Sequence, residues 1–215
     1  MNTDRLIDAL TSELTPEAQL NPPWMRATGW TLGALVFVAA VTLLMASPAQ
    51  VVANGRDWPF LFYQCLAALT GASAAAAAFA STVPGHSSRS VRVAVIAALF
   101  WFGSLSIGAA HEWSRGGVDL AAPGELACSA MIVLGSAVPA AGLALMLRRG
   151  APLTPRLTAA MGALAAASFT SIGACLSQPH PSDMLTAVWH GTAILLLVAL
   201  AALGGNAILR WNTRR

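Results

Sequence analysis

Three cysteines and four histidines carry the richest chemistry in this 215-residue chain, and they are unevenly placed. Cys175, His180 and His190 fall in one short stretch, CLSQPHPSDMLTAVWH, between two long apolar runs. Pro179 and Pro181 forbid a continuous helix through it. Cys128 and His111 stand at the ends of other apolar runs. Two thiols that face an oxidising compartment can form a disulfide. Thiolates beside imidazoles suit zinc or copper. Cys128, Cys175 and His190 head that ligand set, with His180 and His111 as further co-ligands. A third reading makes the cysteines small buried hydrophobes and the histidines interfacial hydrogen-bonders. The sequence has no CxxC or HxxxH to choose among the three.

These residues share a depth only if the apolar runs cross a membrane. Six runs, at about 27–46, 59–82, 92–111, 125–147, 156–175 and 184–209, each have the roughly 20 residues that a crossing needs. Counting 19 residues from Leu147 back to Cys128, from Arg156 forward to Cys175 and from Arg92 to His111 brings all three to one bilayer face. The fourth and fifth runs are joined by a short connection, so they are expected as antiparallel neighbours and their cysteines can meet. His190 lies six residues into the last run, with His180 in the loop above it. Cys65 is nearer the middle of the second run. That run holds GASAAAAAFA, and lipid gives Ala no advantage over Leu, so it predicts close helix contact. Pro139 sits inside the fourth run, where a kink is expected.

Composition agrees. The chain is 56% hydrophobic and 10% charged, with a mean hydropathy of +0.65. Soluble domains carry about 25% charged residues, so the fold expected is all-α, a polytopic bundle of six transmembrane helices. All twelve basic residues are arginine. Ten of them (Arg5, Arg26, Arg89, Arg92, Arg148, Arg149, Arg156, Arg210, Arg214, Arg215) fall on the side that holds both termini, and two (Arg56, Arg115) on the other. The positive-inside rule then makes both termini cytoplasmic. Arg26 is expected as a positive flank, and Trp24, Trp101, Trp113, Trp189 and Trp211 as interfacial residues. No cluster of cations interleaved with aromatics points to nucleic acid.

Residues 1–26 form a separate unit before the membrane domain at 27–215. They lack the apolar core of a signal peptide. Residues 3–14 read as a short amphipathic helix with Leu6, Ile7, Leu10 and Leu14 in one stripe. Asp4, Asp8, Glu13 and Glu17 against Arg5 make the segment acidic. An anionic leaflet repels it, whereas a basic protein partner does not. The alternative is a tail packed loosely under the bundle. Pro16 and Asn21-Pro22-Pro23 form a stiff linker.

The opening MNTDRLIDALTSEL, the Pro-rich linker and the six runs together resemble the NrsF-type membrane anti-sigma factors. The second half adds Cys128 early in the fourth run, LRRGAPLTPRL, a small-residue fifth run ending in Cys175, and the Trp189-His190 pair. The resemblance spans nearly the whole chain. It implies a bacterial inner-membrane protein without catalytic activity or required cofactor. Such a protein holds an extracytoplasmic-function sigma factor through its cytoplasmic parts and releases it on periplasmic metal or redox stress. The sensing cysteines map onto Cys128 and Cys175, and the docking helix onto Leu6, Ile7, Leu10 and Leu14. The loop LSQPHPSDM departs from the family's more acidic one.

Two rival readings stand beside it. A small transporter or metal-handling protein places charged groups inside its spans, and the cores of these six runs have none. A haem or quinone protein would use His111 and His190, but His111 lies close to the rim.

Overall fold

The structure is a computed structural model. It describes residues 20–85, 88–116, 125–150, 152–177 and 183–209, with Thr3, Ile7, Thr11 and Ser12 of the leading segment; for 125–128 and 183 it describes the backbone alone. Among the described residues every regular element is helical. In chain order these are α1 (Pro23–Met45), α2 (Pro48–Asn54), α3 (Trp58–Ala80), α4 (Arg89–Ser114), α5 (Glu125–Arg148), α6 (Pro155–Leu176), α7 (Asp183–Leu185), a π turn (Thr186–His190) and α8 (Gly191–Ile208). Six helices are long and apolar enough to cross a membrane, the last running Thr186–Ile208 through the π turn. Their ends lie within a few residues of the expected runs. Leu44, Leu203, Ile107 and Leu134 are among many large apolar side chains left exposed on the bundle's outer surface, the pattern that a membrane-spanning bundle would show.

The bundle is a circuit around one helix. α1 packs on α3, α3 on α4, α4 on α7 and the π turn, the sixth span on α5, and α5 on α1. α6 lies inside and contacts α1, α3, α5 and α8. Over its most apolar stretch α6 is 83% buried, against 22–39% for the other five. Its sequence explains why. Ala159, Ala160, Gly162, Ala165, Ala166, Ala167, Gly173 and Ala174 let neighbouring backbones come close on every side. The fully buried Phe169 is the large exception. Its ring meets Trp30 edge-on, centroids 5.9 Å apart, and fits against Gly71, where a Cβ would stand 2.8 Å from Cε2. On α5, Gly135 takes the methyl of Thr170, and Gly162 of α6 takes Leu143. At the other end of α6, a Cβ on Gly205 would lie 2.6 Å from the Pro155 carbonyl oxygen, so α8 and α6 touch by backbone.

Three local expectations are corrected. Arg26 is not an exposed flank. α1 starts at Pro23, whose fixed φ suits a first turn, and this carries Arg26 inside, 9% exposed. Its Nη2 donates to the Met146 carbonyl, and its guanidinium lies 4.8 Å from the Phe79 ring centroid. The last carbonyls of α5 lack helical donors, and Arg26 supplies one. Arg148 does the same for α8, its Nε donating to Ile208 O at 2.6 Å. Trp101 is not interfacial but 3% exposed. It falls with Ala94, Ala97 and Leu105 on the buried stripe of α4, and that helical spacing overrides the residue type. The segment 47–58, which the expected runs leave as a bare connection between the first and second, holds α2: Ser47 Oγ accepts from Gln50 N at 3.3 Å, with Pro48 opening the helix.

Gly71→Leu is expected to destabilise the bundle by about 1–3 kcal/mol, because a side chain there overpacks Phe169. Thermal unfolding of the detergent-solubilised protein checks this. Gly103→Leu, at a site with nothing within 4 Å, should leave the midpoint near wild type.

Candidate functional site

The last turn of α6 brings the chemistry together. Ser171 and Cys175 are four residues apart and share a face. His190 reaches them from the π turn: its Nδ1 lies 3.5 Å from Cys175 Sγ and 3.4 Å from Ser171 Oγ. Cys175 and His190 are each 3% exposed. A π turn inside a helix often marks a functional position. Here it spaces buried Leu185 and buried His190 five residues apart, a separation that an α-helix would splay.

Neighbouring elements hold this cysteine end in place. Two side chains of α2 satisfy carbonyls at the end of α6: Gln50 Nε2 donates to Ser177 O at 3.0 Å, and Asn54 Nδ2 to Leu176 O at 3.4 Å. Glu112 Oε2, from the end of α4, accepts from Met184 N at 2.8 Å and caps α7. A cavity of about 540 Å³ opens beside these contacts. Cys175 and Thr186 line it together with Asp57, Phe60 and Gln64 of the α2–α3 side and His111, Glu112 and Arg115 of the α4 side.

The description NrsF, negative regulator of sigma F, matches residues 10–211, most of the chain. This chain belongs to the NrsF family. No curated protein and no solved structure matches it. The membership bears out the resemblance read from the sequence, and it makes the chain one of a family of negative regulators of a sigma factor.

The structure places the NrsF chain's expected site residues as follows. Cys175 and His190 meet. His111 is exposed on the cavity wall and makes no side-chain hydrogen bond to either. The side chain of Cys128 lies outside the described residues, but its backbone is part of α5. The pairs Gly135–Thr170 and Gly162–Leu143 fix an antiparallel register between α5 and α6. That register sets position 128 level with Ser177, two residues or about 3 Å along the axis from Cys175. His180, Leu6, Leu10 and Leu14 lie outside the described residues. Ile7 is exposed and helical, and its carbonyl accepts from Thr11 Oγ1 at 2.9 Å. Cys65 is exposed on the outer face of α3. Among the described residues no group of three His, Cys, Asp or Glu could hold a metal ion. At the opposite, arginine-rich end, a groove of about 210 Å³ is lined by Val83, Val91, Leu153 and Leu157 with Ser81 and Ser88.

Sequence reasoning missed Ser171, although its four-residue spacing from Cys175 was a usable signal. It also missed the polar wall of the cavity. Gln64, an amide six residues inside a span, was the sign that the surface there is not lipid-facing.

Glu112→Ala is expected to remove a cap worth about 1 kcal/mol and to speed amide exchange at Asp183–Leu185 by about fivefold. Glu112→Gln keeps an acceptor oxygen and should stay near wild type. Hydrogen–deuterium exchange of the two variants tests this.

Proposed function

We propose that this NrsF-family chain is an inner-membrane anti-sigma factor that sequesters an extracytoplasmic-function sigma factor without catalysis. In this reading both termini are cytoplasmic. The acidic leading helix holds the sigma factor through Leu6, Ile7, Leu10 and Leu14, and the arginine-end groove at 83–91 and 148–155 adds contact area. The cysteine end then faces the periplasm. Metal or redox stress acts there on Cys128 and Cys175.

One observation carries the coupling between the two ends. α6 touches both: its last turn carries Cys175 against His190, and its first turn is locked at the arginine end. There Thr158 Oγ1 lies 2.7 Å from Ser81 Oγ, and Pro155 lies against Gly205. A buried helix of close contacts cannot deform continuously, so a change at one end moves the other as a unit. A bias of a few kcal/mol is enough to shift the bound population. For a metal signal, Cys175 and His190 offer one sulfur and one imidazole, half of a four-coordinate zinc shell. Cys128 and His180 are the remaining candidates. Transport finds less support, since the charged side chains described on the spans sit at helix ends.

In a co-purification with the cognate sigma factor, full-length Leu10→Asp should lose at least tenfold of the captured partner. Undiminished capture would move the docking face to the groove. Cys128→Ser with Cys175→Ser should keep capture and abolish induction of a sigma-driven reporter by metal or oxidant. Normal induction in that double variant would overturn the sensor reading.

A further inference from the structure

The cavity at the cysteine end has a charge pattern of its own. Asp57 stands on one wall and Arg115 on the other, and among the described residues neither side chain has a hydrogen-bond or ion-pair partner. A carboxylate and a guanidinium that line one cavity and are not spent on each other suit a ligand that carries both signs. Deeper in the same cavity, the Gln64 amide also has no hydrogen-bond partner among the described residues. A polar side chain at that depth in a span needs water or a ligand. The 540 Å³ volume lies in the range of small-molecule sites. At the inner end the wall includes Cys175, with His190 Nδ1 behind it.

We propose that this cavity binds a small zwitterionic disulfide of the amino-acid type and presents it to Cys175. The proposal rests on the sensor reading above and names the chemical class that reaches the site. Asp57 takes the ligand's ammonium, Arg115 its carboxylate, and Gln64 hydrogen-bonds the body of the molecule. With Cys175 in its thiol form, the Sγ proton passes to water in the cavity and from there to the departing sulfur, while His190 Nδ1 lies 3.5 Å from Sγ. The thiolate attacks one sulfur of the disulfide, a mixed disulfide forms on Cys175 as the ligand's S–S bond breaks, and the other half leaves as a thiolate. The protein sulfur is oxidised and the departing sulfur reduced.

The test uses the purified, pre-reduced full chain with no sigma factor present, so its outcome is independent of the anti-sigma reading. Cystine, cystamine and dithiodipropionate are compared by intact mass and peptide mapping, each rate normalised to that with a small model thiol. Cystine should modify Cys175 about fivefold faster than either analogue, each of which carries charges of one sign only. Asp57→Asn should bring cystine down to the dithiodipropionate rate, and Arg115→Gln down to the cystamine rate. An uncharged methanethiosulfonate should react alike with all three proteins. Equal normalised rates for the three disulfides overturn the proposal, as does an adduct confined to Cys65 or Cys128. Failure of both charge variants to alter the cystine rate overturns it too.

Discussion

Close approach of backbones around α6 is the constraint on which the rest of the structure depends. In lipid an apolar side chain gains nothing by leaving one greasy surface for another, so helices associate through contact quality. The alanines and glycines of α6 provide that contact on all sides, and Phe169 fills the one deep gap between Gly71 and Trp30. The other five spans then need only one packed face each. Their outward faces are free to carry large apolar residues such as Leu44 and Leu203.

Helix ends are the second demand, because their backbone groups have no helical partners and lie near a medium that cannot supply them. The chain answers with long side chains from neighbouring elements. Arg26 and Arg148 serve the arginine end; Gln50, Asn54 and Glu112 serve the cysteine end. These bonds tie α2 to the end of α6 and α4 to α7 on either side of Cys175. The site is therefore held by polar bonds at its rim and by small-residue packing below it.

Much of this was legible in the sequence. Run length and the near absence of charge gave the six spans, and the rise per residue set Cys128, Cys175 and His111 at one face; that His190 reaches Cys175 is a finding of the packing. Arginine counting weighs every cation alike, so it did not distinguish Arg26, which serves a carbonyl, from an arginine in solvent. Tryptophan type suggested an interface for Trp101, while its place in the buried stripe of α4 decided otherwise. The helix α2 hid in a loop because seven residues show too little periodicity, although Ser47-Pro48 was a start signal. The cavity was not legible, since its walls come from residues some 120 positions apart that only the packing of α3, α4 and α6 assembles.

The π turn beneath His190 holds one residue more than an α turn would. Segments on its two sides are thus out of phase by a single position. Loss of any one residue between Thr186 and His190 would restore regular winding and swing the preceding turn about 100° around the axis, taking Met184 and Leu185 out of their buried positions. A length change of one codon at this spot would therefore do more to the molecule than most substitutions in the same stretch.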